Sequence, residues 1–172
     1  MVVQRLARAQ AMVEFALALP IFLLVIYGLL EAGRAVFMYS AVTTASREAA
    51  RYGAASGRNS AGHWQYQDCV AIRAAAKNAG FLLNIPTSYN SSVMTIKYTL
   101  TTSPTTTTII ECTQNGVQTN ITPKTGDYVT VTVTQQFNPI VKLVPFTSFP
   151  MHGKSSRTLT GTIDLNPPTP VP

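Results

Sequence analysis

A long run of apolar residues dominates the first third of the chain. No charged residue lies between Glu14 and Glu31. Since a helix rises about 1.5 Å per residue, residues 15–30 span roughly 24 Å, which is short of a bilayer core of about 30 Å. Starting at Ala11 extends the span to about 30 Å but includes the Glu14 carboxylate. The pattern therefore predicts a membrane-spanning helix that is long enough only with an acidic residue inside it.

Helical character continues past this apolar run. Acidic and basic residues three positions apart can meet on one helix face, and two such pairs occur, Glu31 with Arg34 and Glu48 with Arg51. A polar stretch that begins at Gly57 then indicates a break. We therefore predict one helix from about residue 8 to about residue 55, bent near Pro20, because proline lacks an N–H and crowds the preceding turn.

The residues around this segment fit two kinds of N-terminus. A secretory signal peptide also has basic residues before an apolar run and would be cut near "EAGRA", but Glu31 and Arg34 lie there and the helical pattern continues. An uncleaved single-span anchor would instead keep Arg5 and Arg8 in the cytoplasm by the positive-inside rule. The rest of the chain would then lie outside.

The remainder of the chain is expected to form a small head of mixed secondary structure. "HWQYQDCVAIRAAAKNAGF" predicts a second helix over about residues 66–79, with Gly80 as its C-terminal cap. Its expected buried side consists of Tyr66, Cys69, Val70, Ile72 and Ala76. Three later segments alternate apolar residues with threonine or other polar residues, which predicts half-buried strands: "SVMTIKYTL", "YVTVTVTQQF" and "SRTLTGTIDL".

The connections between these strands carry their own signals. "TIIECTQNGVQTNI" predicts a hairpin with a type I′ turn at Asn115 and Gly116. "TTSPTTTT" is interpreted as a low-complexity loop. "FNPIVKLVPFTSFPMHGKS" is a long, proline-interrupted connection whose apolar residues either fold over the sheet or form a contact surface.

Composition narrows the classes of function. Only 12% of the residues are charged, about half of the ~25% typical of soluble domains, which agrees with a membrane segment. The net charge is +6, but the basic residues are dispersed, which argues against nucleic-acid binding. His63 and His152 belong to no ligand-spaced cluster, and no catalytic motif is present, so we expect no metal, no cofactor and no enzymatic activity.

The sequence contains two cysteines, Cys69 and Cys112, both after the apolar segment. If that region lies outside the cytoplasm, a disulfide between them is the natural interpretation. The alternative is a pair of buried free thiols.

The N-terminal pattern closely resembles the start of TadE-like pseudopilins of the tight-adherence (Tad/Flp) pilus system. The matching pieces are "VEFALALP", the aliphatic run after it, "LLEAGR" and "AVTTASREAARYGA". The resemblance covers about the first third of the chain. Together with the helix and strands predicted for the rest of the chain, it implies a pilin-like α+β fold, in which a long N-terminal membrane-embedded helix precedes a small exported head of one helix on an antiparallel sheet.

The resemblance also implies a role for Glu14. Prepilin peptidase would cut between Ala9 and Gln10, which makes Glu14 the fifth residue of the mature chain; Ala9 stands where family leaders usually end in glycine. The new amine at Gln10 would be cationic below a pKa of about 8 and could face Glu14 of a neighbouring subunit. Alternatively, Glu14 lies near the membrane surface and its carboxyl reaches water around the headgroups.

These inferences divide the chain into a leader at residues 1–9, a transmembrane pilin helix at 10–56, an exported head at 57–166 and a Pro-rich tail at 167–172. The expected function is that of a minor pilin in the inner membrane, with its N-terminus cytoplasmic and its head outside. Expected partners are other pilins or pseudopilins, prepilin peptidase and the inner-membrane pilus platform, in a homo- or hetero-oligomeric filament. The alternative is a permanently anchored envelope protein whose Thr-rich head binds glycan or a surface protein.

Overall fold

The computed structural model describes residues 2–80, 82–103, 105–140 and 148–160, with the backbone alone for residues 2–9. The predicted α+β fold is confirmed. Its elements in chain order are helix α1 (Val2–Gly53), a 3₁₀ turn (Gln65–Gln67), helix α2 (Cys69–Ala79) and strands β1 (Met94–Ser103), β2 (Thr106–Glu111), β3 (Tyr128–Phe137) and β4 (Phe149–Thr158). The chain divides into two compact units, residues 1–37 with 138–148 and residues 38–137 with 149–172.

Helix α1 is longer than the pattern predicted at its N-terminal end. It begins at Val2 and continues to Gly53, with Pro20 inside it. The predicted C-terminal limit near residue 55 is close to the observed end. The bend near Pro20 stays a prediction.

The four strands form one antiparallel sheet in the order β2-β1-β3-β4. Strand β1 pairs with β3 so that Met94 faces Val133, Ile96 faces Val131 and Tyr98 faces Val129. This register places the apolar sides of both strands on the same face. The predicted buried residues of the two strands are confirmed: Met94, Ile96, Tyr98, Leu100, Val129, Val131, Val133 and Phe137.

Small residues bring the second half of α1 close to the rest of the head. Val42, Ala45, Ala49 and Ala50 are fully buried in the same core as the strands and α2. At Gly153 of β4, an added Cβ would lie 2.5 Å from the Val42 carbonyl oxygen. Backbone therefore approaches backbone at this point, which only glycine permits.

The position of the last strand differs from the prediction. The alternation in "SRTLTGTIDL" predicted a strand over residues 156–165, whereas β4 is Phe149–Thr158, and residues 161–165 lie outside the described part. Pro150 argued against a strand there because proline donates no ladder hydrogen bond. Proline is accommodated because β4 is an edge strand of the sheet that the described residues form.

The predicted hairpin at Asn115 and Gly116 is wrong. A type I′ turn needs positive φ at both central residues, and the described residues with positive φ are Gly62 and Gly126. Strand β2 pairs instead with β1, with Ser103 opposite Thr106, so most of "TTSPTTTT" lies in strand ends. The chain after Cys112 forms hydrogen bonds with the segment that precedes α2. Gln118 N–H donates to Gln67 O at 2.8 Å, and Val117 forms a β-bridge with Asp68.

The contact of α1 with β4 predicts a specific sensitivity at Gly153. We expect Gly153→Ala to destabilise the head by about 1–3 kcal/mol, because its methyl group forces a backbone shift in a packed interior. Gly116→Ala is the matched control, since nothing lies within 4 Å of its added Cβ. Urea denaturation of the full chain in detergent, followed by Trp64 fluorescence, gives both values. Equal midpoints for the two variants would contradict the close approach.

Candidate functional site

The first half of α1 carries an exposed apolar surface. A window of 18 residues within Gln10–Gly53 has a mean hydropathy of 2.4, and none of that window is buried. By length and composition, this helix is a candidate membrane span. Large side chains on it that are at least 60% exposed include Phe15, Leu17, Ile21, Phe22, Leu29 and Leu30. Such an extensive apolar surface indicates contact with lipid or with other subunits.

Glu14 lies within this exposed surface. Its Oε1 accepts a hydrogen bond from Gln10 Nε2 at 3.2 Å, one helical turn away. Because the Gln10 side chain is a neutral amide, this bond satisfies one acceptor site without compensating the charge. The bond between Ala9 and Gln10, where processing was expected, lies within α1.

Glu31 marks the other end of the uncharged run and is bonded more extensively. Its Oε2 pairs with Arg34 Nη1 at 2.8 Å, as the three-residue spacing predicted. Its Oε1 accepts the backbone N–H of Ile140 at 2.9 Å, which fixes part of the connection between β3 and β4 against the helix. A cleft of about 230 Å³ adjoins this contact and is lined by Tyr27, Leu30, Glu31, Arg34 and Ile140.

The head contains the Cys69–Cys112 disulfide, with a Cα–Cα distance of 5.9 Å. It joins the first residue of α2 to the residue that follows β2. The sequence separation is 43 residues, and closing such a loop typically contributes ~2–4 kcal/mol. The bridge thus joins the helix to the sheet in a head with a small core.

Arg73 is a buried residue that sequence reasoning missed. Its Nη2 donates to Cys112 O at 2.7 Å and its Nη1 donates to Gln114 O at 2.9 Å, while the guanidinium lies 5.6 Å from the centre of the Tyr89 ring. Burial lowers the pKa of Arg73, but an arginine remains protonated under ordinary conditions. The side chain therefore holds the chain after β2 beside the disulfide.

Little in the sequence could have identified Arg73. It is one basic residue in a helix whose predicted buried side was apolar. Of that predicted side, Tyr66, Cys69, Ile72 and Ala76 are buried and Val70 is half-buried. The helix proper begins at Cys69, and Asp68 caps it by accepting from Ala71 N at 2.9 Å.

Metal-binding chemistry has no evident site in the described part of the chain. No three His, Cys, Asp or Glu residues come together there in a metal-binding arrangement. The Nδ1 atom of His152 is instead hydrogen-bonded to the hydroxyl of Thr134, at a distance of 3.0 Å.

Comparison with known protein families gives a match in the N-terminal part of the chain. Residues 9–51 match the family model described as TadE-like protein. This confirms the resemblance over that segment, which includes Ala9, Gln10, Glu14 and Glu31, and it indicates a protein associated with Tad pilus systems. No curated protein and no solved structure matches the chain.

The contacts of Arg73 predict a loss of stability on its removal. We expect Arg73→Met to lower the free energy of unfolding by about 1–3 kcal/mol, because the buried carbonyl oxygen of Cys112 loses its donor. Lys77→Met makes a comparable change at an exposed position of the same helix and should stay within about 0.5 kcal/mol of the unmodified chain. Denaturant unfolding with the disulfide intact measures both. A stable Arg73→Met variant would contradict this assignment.

Proposed function

We propose that this chain is a TadE-like minor pilin that inserts in the inner (cytoplasmic) membrane and takes part in Tad/Flp pilus biogenesis and surface adhesion. The observation that carries the proposal is the coincidence of two features. The segment that matches the TadE-like family, residues 9–51, includes the exposed apolar surface of α1 with Glu14 in it. A surface of that kind suits a helix that moves between lipid and a bundle of similar helices.

The proposed topology has a single pass with the N-terminus in the cytoplasm. Arg5 and Arg8 precede the apolar run, and positive residues favour the cytoplasmic side. The head then lies outside, where the Cys69–Cys112 disulfide is chemically stable. The proposed division of the chain keeps a leader at residues 1–9, the pilin helix at 10–56, the head at 57–166 and the tail at 167–172.

In this proposal, assembly depends on cleavage, because cleavage creates the amine that pairs with Glu14. Prepilin peptidase cuts between Ala9 and Gln10, and the new amine of one subunit pairs with the Glu14 carboxylate of its neighbour. A charge in a membrane is stabilised mainly by a partner of opposite sign. Among the residues with described side chains, Glu14 accepts from the neutral Gln10 amide, which leaves its charge uncompensated, and the neighbour's amine would supply the opposite charge. The proposed partners are other pilins or pseudopilins, prepilin peptidase and the inner-membrane platform.

A second candidate function follows from the outer face of the sheet. The core lies on one side of the strands, and the other side carries polar residues in cross-strand rows, among them Thr130 opposite Ser156 and Thr132 opposite Lys154. A polar face of this kind suits a permanently anchored envelope protein that binds glycan or another surface protein. Sheared surface filaments that contain the chain favour the pilin, and strict co-fractionation with membranes favours the anchor.

Processing is tested by intact-mass analysis of the protein from membranes. We expect the mature chain to begin at Gln10 in cells with active prepilin peptidase and at Met1 in cells without it. Ala9→Gly should also be cut, since glycine is the usual residue there, whereas Ala9→Phe should not, because its ring replaces a small side chain. A chain that retains residues 1–9 in peptidase-active cells would exclude the cleavage.

The pairing role of Glu14 is tested by Glu14→Gln, which keeps the size of the side chain and removes its charge. Polar contacts between membrane helices contribute about 1–2 kcal/mol, and 1.4 kcal/mol corresponds to tenfold, so we expect incorporation into filaments to fall about tenfold. Membrane insertion and the disulfide should be unchanged.

Glu48→Gln is the matched control for this measurement, because Glu48 pairs with Arg51 on the exposed surface of the same helix. Quantitative immunoblotting of sheared filaments against membranes gives the ratio for both variants. Normal incorporation of Glu14→Gln would remove the pairing role and leave the membrane location untouched.

A further inference from the structure

The connection between β3 and β4 meets α1 where the uncharged run ends. We propose that Ile140, at the start of this connection, is a second membrane contact, which lies at the boundary of glycerol and acyl chains in the outer leaflet. The inference rests on the proposed function insofar as α1 must cross the membrane. Ile140 lies far from α1 in the sequence, and the molecules that cover the surface around it are lipids.

The length of α1 between Gln10 and Glu31 sets the level of Ile140 in the membrane. From Gln10 to Glu31, the rise of an α-helix gives about 32 Å, close to the ~30 Å of a hydrocarbon core. If Gln10 lies at the cytoplasmic boundary, Glu31 lies at the outer one. The Ile140 amide is 2.9 Å from the Glu31 carboxylate and therefore lies at the same level.

The polar groups at this contact are satisfied, which a position at the membrane boundary requires. The Ile140 N–H donates to Glu31 Oε1, so it does not need water. The other carboxylate oxygen pairs with Arg34, so the charge of Glu31 is balanced as well. The arrangement therefore allows this piece of non-helical backbone to leave bulk water.

The side chains beside the contact suit an interface between lipid and water. Ile140 is 71% exposed, and the apolar side chain of Leu30 lies beside it in the cleft. Tyr27, one turn below Glu31, is half-exposed, and tyrosine is enriched where the hydrocarbon meets the headgroups. The long side chain of Arg34 can extend toward the headgroups.

Continuity with the candidate span selects lipid as the occupant. Leu29 and Leu30 are 74% and 60% exposed and belong to the same apolar surface of α1. Whatever solvates these leucines at the top of the span also reaches Ile140, which lies beside Leu30 in the cleft. In a membrane-inserted subunit, that solvent is the outer part of the acyl chains.

Tryptophan fluorescence in vesicles tests the proposal. Trp64 is the one native tryptophan, so Trp64→Phe gives a background into which single tryptophans are introduced. The reporter is Ile140→Trp, with Phe22→Trp as a mid-span reference and Tyr128→Trp as a reference in the head. Each full-length variant is reconstituted in phosphatidylcholine and phosphatidylglycerol vesicles that carry bromine at a shallow or a deep acyl position.

We expect Ile140→Trp to be blue-shifted and quenched by shallow bromine, Phe22→Trp to be quenched by deep bromine, and Tyr128→Trp to be quenched by neither. Loss of quenching at Phe22→Trp would overturn the membrane span itself. Quenching at Phe22→Trp without quenching at Ile140→Trp would overturn this inference alone. Loss of the blue shift at Ile140→Trp on dilution with lipid would mean that a neighbouring subunit covers the site, which also overturns it.

The role of Glu31 as the positioning residue has a separate test. Glu31→Ala removes the acceptor of the Ile140 N–H, and Glu48→Ala removes an acid–arginine pair with the same spacing but no contact to the connection. We expect Glu31→Ala to shift Ile140→Trp emission to the red and abolish its shallow quenching, while Glu48→Ala leaves both unchanged. Phe22→Trp quenching should stay constant in both. Identical Ile140→Trp spectra in the two variants would contradict the positioning role.

Discussion

The exposed apolar surface on the first half of α1 is the constraint on which the rest of the molecule depends. Large side chains such as Phe15, Leu17 and Leu29 are exposed there, and water is a poor solvent for such a surface. In the second half of the same helix, the buried residues are mostly small, as at Ala45 and Ala49. Large apolar residues suit lipid, and small ones permit close packing in the head. One continuous helix therefore presents two kinds of surface that differ in side-chain size.

The three acidic residues of α1 differ in how their charge is compensated. Glu48 pairs with Arg51 on an exposed surface, where such a pair contributes little to stability. Glu31 pairs with Arg34 and also accepts the Ile140 N–H, so it is nearly saturated. Glu14 accepts only from the neutral amide of Gln10 among residues with described side chains. A cationic partner from another subunit would therefore stabilise the charge of Glu14 more than that of Glu31 or Glu48. This difference supports the proposed role of Glu14 in assembly.

Sequence reasoning succeeded where one face of an element is buried and failed where contacts distant in sequence decide the structure. Alternation identified β1 and β3 and their buried faces because both lie in the centre of the sheet. Strand β4 was placed wrongly because Pro150 and Gly153 obscure its alternating pattern. An edge position tolerates Pro150, and the close approach of α1 requires Gly153. The turn signal at Asn115 and Gly116 was outweighed by the disulfide at Cys112 and by the hydrogen bond of Gln118 to the 3₁₀ turn that precedes α2.

The same limit applies to the candidate sites. Arg73 gives no local sign that its partners are the carbonyl groups of Cys112 and Gln114, about 40 residues further along the chain. Ile140 gives no sign that it meets Glu31, which precedes it by 109 residues. By contrast, the disulfide was anticipated, because cysteine chemistry needs only two residues and an oxidising compartment.

Alanine instead of glycine at the proposed cut has a physical consequence, because the bond between Ala9 and Gln10 lies within α1. A protease generally needs an extended backbone at the bond it cuts, so the proposed cut would require the first turns of the helix to unwind. Glycine favours unwinding over alanine by about 1 kcal/mol, which corresponds to roughly a fivefold larger open fraction. Alanine at position 9 is nearly as small as glycine but holds the bond more firmly in the helix. Under the proposed processing, Ala9 therefore favours slow maturation rather than none.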